Sequence, residues 1–241
     1  MKRLVNTALM AVMIAAASSC TFVRVNPNAF DNVMDGKAAI RVAVSSNFIH
    51  DEYNVPDFNR MDIYLPADVT YEMTEGEPSV DIYAPDNLVE YLRFEVNNGC
   101  LMVQFSEKIR TNNLKDLEIR VKSSTLQEVN ILGAGDFDIP SPLVCDSFSV
   151  SVKGAGDVEV NSVETPGNVE ILIQGAGDVD LDHVECDKVT ATIQGAGDVE
   201  IAGKCNSADL TIQGAGDINV ARLEAGDISS KVQGMGSIVR N

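Results

Sequence analysis

The sequence predicts an all-β protein: a β-solenoid, wound as a right-handed parallel β-helix with about 20 residues per coil, with an irregular β cap on its N-terminal side. Three observations predict it. GAGDF begins at Gly133, GAGDV at Gly154, Gly175 and Gly195, GAGDI at Gly214 and a degenerate GMGSI at Gly234, in steps of 21, 21, 20, 19 and 20 residues. The residues on either side of each copy alternate apolar and polar with a period of two and are rich in Val and Ile, which is the pattern of strands with one buried face. No stretch carries an amphipathic helix of four turns. The right-handed sense follows from the chirality of parallel crossovers.

Taken in chain order, the first element is an export signal. Residues 1–19 hold two cations, Lys2 and Arg3, then an apolar run and small residues up to Cys20, the arrangement of a secretory leader. The ending Ala17-Ser18-Ser19-Cys20 is similar to a bacterial lipoprotein signal, so Cys20 is the expected lipidation site and the membrane an expected partner through that anchor. Residues 20–29 read as the lipidated Cys and a linker. Residues 30–120 are expected to be irregular strands that cap and extend the solenoid, with a separate β-domain as the alternative. Residues 21–120 contain eleven of the thirteen Phe and Tyr but three of the eighteen Gly. Short alternating runs lie at Ala39–Val44, Met61–Leu65, Val80–Tyr83, Leu92–Val96 and Leu101–Phe105, and Asn97-Asn98-Gly99 reads as a hairpin turn between the last two. Residues 121–241 are the expected solenoid.

Within each repeat, two residues before the first Gly stand Ile131, Val152, Ile173, Ile193, Ile212 and Val232, and four before it Val129, Val150, Ile171, Ala191, Leu210 and Ser230. After the corner come Phe137, Val158, Val179, Val199, Ile218 and Ile238. Stacked about 4.8 Å apart, these columns make one aliphatic core. The paired corner glycines (Gly133 and Gly135, Gly154 and Gly156, Gly175 and Gly177, Gly195 and Gly197, Gly214 and Gly216, Gly234 and Gly236) are expected to supply positive φ or a close backbone approach at a sharp bend. Arg240 falls in an apolar column and reads as a charge that discourages end-to-end stacking.

Asp136, Asp157, Asp178, Asp198 and Asp217 form one outward ladder, and Asp138, Glu159, Asp180, Glu200 and Asn219 a second beside it. Neighbouring carboxylates at this spacing repel by about 0.9 kcal/mol in water, so something must compensate. Backbone N–H bonds at the glycine corner are the favoured compensation, and a Ca²⁺ site on the first ladder is the functional alternative. Gln174, Gln194, Gln213 and Gln233 form a further ladder, whose amides bond along the stack or offer a polar strip to sugar hydroxyls. Cys145, Cys186 and Cys205 share a column with Pro166 and Ala225 as small core residues. Cys186 and Cys205 fall on adjacent coils, where in-register geometry makes a disulfide awkward.

Composition narrows the function. Eighteen Lys and Arg against 36 Asp and Glu leave a net charge of −18, which opposes binding to nucleic acid. Two His and no Trp leave little material for His-based metal sites or nucleophile relays, and no catalytic motif stands out, so no catalytic residue is assigned.

The GAGD-bearing coils, the segment EYLRFEVNNGCLMVQFSE (90–107) and LEIRV (117–121) resemble the family of auto-transporter adhesin head domains found in Bacteroidetes and other bacteria. The resemblance runs from about Phe30 to the C-terminus and departs at GMGSI, which lacks the Asp. It implies a β-helical fold and an adhesive role. The expectation is therefore a lipid-anchored protein of the cell envelope, most simply the outer membrane, that binds glycans or surface polymers through a repetitive polar face without catalysis. Two alternatives stand beside it: a β-helical polysaccharide-degrading enzyme of the pectinase or lyase kind, and a structural envelope component that binds another protein.

Overall fold

The computed structural model describes residues 39–111, 114 and 117–241. Cys20 and the leader lie outside the described residues. No α-helix occurs among the described residues; a single 3-10 turn, Val89–Tyr91, interrupts a structure otherwise made of strands.

The repeats stack as a parallel β-solenoid of three walls. Strands Glu128–Ile131, Phe148–Val152 and Asn168–Ile173, then residues 188–193, 207–212 and 227–232, form the wall before the glycine corner. After the corner come Phe137–Ile139, Val158–Val160, residues 179–181 and 199–201, Ile218–Val220 and Ile238–Arg240. A short third wall, from Leu143–Val144 to residues 223–225, returns the chain. Within each wall partners are in register, as in Val150↔Ile171↔Ala191↔Leu210. The shortening of the period is local. The step drops from 21 to 20 where Asn168 aligns with Lys188, and to 19 where the register shifts between Leu181 and Val184.

Burial follows the alternation. Val129, Ile131, Val152, Ile173, Ala191, Ile193, Ile212, Phe137, Val158, Leu181 and Ile218 are 1% exposed or less, and they belong to one continuous core. The last coil is less covered: Val232 is 46% exposed and Arg240, aligned with buried Val220, lies at the surface. Two polar residues of the wall before the corner are buried. Asn130 is 3% exposed, its amide donating to Asp62 Oδ1 at 2.8 Å and Glu128 Oε1 at 2.9 Å, and Ser151 is 8% exposed.

The segment before the repeats extends the solenoid as well as covering its end. Arg60–Ile63 pairs in parallel with Glu128–Ile131, and Asp68–Met73 with Phe137–Ile139, so residues 60–73 form a coil of the same solenoid. On its other side stack Cys100–Phe105 and Glu118–Ser123, also parallel. Chain order and stacking order therefore differ: the coil of residues 60–73 sits between the coil of residues 100–123 and the first GAGD coil. Antiparallel strands then finish the stack. Leu92–Asn97 pairs with Cys100–Phe105 through a hairpin in which Asn98 (φ 51°) and Gly99 (φ 74°) take the left-handed conformation that suits a tight two-residue turn. Ser79–Pro85 pairs with Glu118–Ser123, and Phe48–Asn54 with Ser79–Pro85. Tyr71 is fully buried in this region, with its hydroxyl 3.0 Å from Ser123 Oγ, and burial pushes its phenol up to about 12.

Candidate functional site

The glycine corner is set by backbone crowding. A Cβ on Gly154 would lie 1.7 Å from the carbonyl oxygen of Gly133, and on Gly175 1.9 Å from that of Gly154. The corners of successive coils thus lie directly against one another, and N–H bonds tie them: Ala155 donates to Gly133 O, Ala176 to Gly154 O, Ala196 to Gly175 O and Ala215 to Gly195 O, each at 2.9 Å. Close approach is the common requirement. Positive φ is added in the last two copies alone, at Gly216 (148°) and Gly236 (154°).

Immediately after the corner, each Asp bonds across to the next coil. Asp136 Oδ1 accepts the N–H of Asp157 at 3.2 Å, Asp157 that of Asp178 at 2.9 Å, Asp178 that of Asp198 at 2.7 Å and Asp198 that of Asp217 at 2.7 Å. Asp217 Oδ1 closes the series by accepting both the N–H and the hydroxyl of Ser237. The compensation for the carboxylate ladder therefore runs between coils rather than within one corner. A charge-assisted bond to N–H favours the ionised oxygen over a neutral acceptor. Oδ1 is occupied in this way, while the Asp side chains stand at the surface and Oδ2 meets no protein donor among the described residues. No group of three or more His, Cys, Asp or Glu among the described residues is placed to hold a metal ion.

The second acidic ladder is in register beside the first, Asp138↔Glu159↔Asp180↔Glu200↔Asn219. Partial burial raises the carboxyls of Asp138 and Asp180, and at Asp180 the nearby charges of Asp182, Glu200 and Glu159 add to the rise. Arg222 relieves the crowding, reaching Glu200 at 2.7 Å and Asp182 at 3.8 Å.

On the wall before the corner, Gln174, Gln194, Gln213 and Gln233 are exposed, and Gln174 Nε2 donates to Gln194 Oε1 at 2.9 Å. The cysteine column is also as aligned by the sequence, Cys186↔Cys205↔Ala225, with Cys145 and Cys205 buried. All four described cysteines are free thiols, and burial pushes Cys186 up to about 12 and Cys145 to about 11, well away from reactive thiolate character.

The acidic rows do not stop at the repeats. Residue by residue across the wall they continue Asp138↔Thr70↔Arg120↔Asp81↔Glu52, and one step nearer the corner Asp68↔Glu118↔Tyr83↔His50. There they frame an open cleft of about 260 Å³ lined by His50, Asp68, Thr70, Asp81, Tyr83, Glu118 and Arg120. The Tyr83 ring lies 4.7 Å from His50 and 4.9 Å from Phe48, and Lys122 holds Asp81 at 2.8 Å. Sequence reading missed this cleft, although a signal was present. Leu65-Pro66-Ala67-Asp68-Val69 fills the corner position of a GAGD copy, since Gly133 and Gly135 pack against the backbone of Leu65 and Ala67. Without the two glycines the period was not recognisable.

A parallel β-solenoid with stapled corners and long in-register rows of polar side chains presents an extended, repetitive surface. The sequence profile described as "Putative auto-transporter adhesin, head GIN domain" matches residues 57–167 and 160–240, and the chain belongs to that family. A family of adhesins is one of the cell surface or envelope. Among solved structures, a putative adhesin from Bacteroides fragilis NCTC 9343 is similar at a TM-score of 0.71 and 25% identity, over 83% of this chain and 100% of its own. A putative adhesin from Parabacteroides merdae ATCC 43184 follows at 0.70 and 24%, covering 83% of each chain. A putative lipid binding protein from Parabacteroides distasonis ATCC 8503 shares the fold at 0.66 and 21%, over 84% of this chain and 100% of its own. No curated protein matches.

Proposed function

We propose that this protein is a lipid-anchored adhesin module of the cell envelope, held through Cys20, that binds glycans or surface polymers through its outward rows without catalysis. One observation carries the reading: polar groups repeat in register at strand spacing across the whole wall after the corner and end in a cleft that combines an aromatic ring, a guanidinium and carboxylates. Carboxylates and amides accept from and donate to sugar hydroxyls, an aromatic ring packs against the apolar face of a pyranose, and repeated weak contacts add through effective concentration. The cleft lies at the small end for a ligand pocket, which suits one sugar unit as an end-on contact with a chain running along the rows. The near-equivalence of the ladder carboxylates speaks against a glycosidase pair, which needs unlike environments to separate acid from base.

Glycan-array and cell-binding assays with the intact chain test this. Binding above that of an unrelated protein of similar acidity is expected, weakened about tenfold by Tyr83→Ala and by replacing Gln174 and Gln194 together with Ala. Absence of binding on both surfaces would remove the reading, as would release of products from uronic-acid polymers by the wild-type chain.

A further inference from the structure

We infer that the small two-stranded sheet formed by Ile40–Val42 and Ile109–Thr111 carries a site for a phosphate-type oxyanion, held between Arg41 and Arg110. The two strands are parallel with Arg41 directly opposite Arg110. Opposed residues in a parallel pair project to the same side, and neighbouring strands lie about 4.8 Å apart, so the two arginine side chains leave the sheet side by side. Both side chains are exposed, and neither forms an ion pair or a side-chain hydrogen bond with any of the described residues. Like charges directly across two strands are destabilising. In a chain with twice as many acids as bases, a carboxylate opposite either Arg would have removed that cost.

The pair also borders a groove of about 470 Å³ lined by Arg41, Val42, Ala43, Arg110 and Thr111, which gives a ligand room against the sheet. Two adjacent guanidinium forks offer more donors than a single carboxylate can accept. A tetrahedral phosphate, with three or more acceptor oxygens and up to two negative charges, can take a bidentate contact from each. The net charge of −18 opposes anions at long range, so the contact is local, and added neutral salt screens both the distant repulsion and the nearby attraction. Such a phosphate has two sources, a soluble or polymer-borne phosphomonoester and the phosphomonoester headgroup of a phosphatidic acid surface. The second rests on the anchored reading above, in which Cys20 precedes the strand by 20 residues.

Titration of the intact chain with inorganic phosphate, followed through the arginine Nε–H resonances, tests the site independently of any glycan. Saturable shifts confined to Arg41 and Arg110 are expected. The double variant Arg41→Gln with Arg110→Gln should weaken binding at least about tenfold, and the double Lys variant, which keeps charge but loses the planar fork, should fall between. Circular dichroism confirms that each variant keeps the β fold. A parallel arm measures binding to vesicles containing phosphatidic acid against phosphatidylcholine vesicles. Arginine-dependent binding that free phosphate displaces assigns the headgroup as a source; phosphate binding without vesicle binding assigns a soluble or polymer-borne one. Unmoved Arg41 and Arg110 resonances in the wild-type chain, or equal phosphate affinity in the Gln variant, would overturn the site. Neither result bears on glycan binding through Tyr83 and the ladders.

Discussion

At the scale of single residues, the corner explains itself by what a methyl group would strike. Gly175→Ala places a Cβ 1.9 Å from the Gly154 carbonyl oxygen, so backbone must move in two coils at once. A loss of roughly 3–5 kcal/mol is expected, at the upper end for point changes. Gly76→Ala is the control, because its nearest neighbour is the Thr74 hydroxyl at 3.3 Å, and urea unfolding of the two variants should separate them clearly. The ladder aspartates make a second residue-scale prediction. Asp178→Ala removes the acceptor for Asp198 N–H, a charge-assisted bond of about 1.5–3 kcal/mol, but also relieves repulsion of about 0.9 kcal/mol from each of Asp157 and Asp198, so a net loss of under about 1.5 kcal/mol is expected. If the staple is the whole role of the ladder, Ca²⁺ will leave the thermal midpoint of the wild-type chain unchanged; a calcium-dependent rise abolished in Asp178→Ala would instead assign the ladder to the cation. Ser237 fits the staple, since both its N–H and its hydroxyl donate to Asp217 Oδ1.

At the scale of elements, the strand pairs that carry the second acidic ladder hold charges closer than they would sit in the unfolded chain. Asp180 is raised by burial first and by Asp182, Glu200 and Glu159 next. An acid whose folded pKa lies above its unfolded value binds more protons when folded, so stability falls as pH rises through that interval and recovers as pH falls through it. Asp180→Asn should therefore be more stable than the wild-type chain at pH 7, with the difference shrinking as pH is lowered through the raised folded pKa toward the ordinary carboxylate value of about 4. Chemical denaturation at several pH values checks this; a difference that grows on acidification would contradict it. The register shift between Leu181 and Val184 is also an element-scale feature, since it absorbs a one-residue change of period without moving the core columns on either side.

For the whole molecule, the decisive fact is that residues 60–73 lie inside the stack. Met61 and Ile63 are 0% and 1% exposed because Glu128–Ile131 covers one edge of their strand and Cys100–Phe105 the other. Met61→Ala should thus behave as a core truncation and cost about 2–5 kcal/mol, whereas Ile238→Ala, on the less covered last coil, should cost under about 1.5. Equal small effects would mean that the early segment is only laid against the repeats. The interleaved order pairs Arg60–Ile63 with Glu128–Ile131, 68 positions later in the chain. That raises the sequence separation of native contacts at this end and favours slower folding there than in the repeats.

Much of the fold was written in local pattern. A glycine pair every 19–21 residues and alternating Val and Ile on both sides determined parallel coils, the corner, the core columns, the Gln and Asp ladders and the alignment of Cys186 with Cys205, because each coil contacts its neighbours in sequence and repeats their chemistry. The family resemblance carried by the same residues determined the adhesin class. Only the tertiary structure decided that the Asp bonds cross between coils, that Leu65-Pro66-Ala67-Asp68 is a corner without its glycines, and that Tyr83, His50, Glu118 and Arg120 meet at one cleft. Those features join segments tens of residues apart, through parallel and antiparallel pairings whose register depends on the shape of the whole stack. No periodicity along the chain records which strand lies beside which once the order in space departs from the order in sequence.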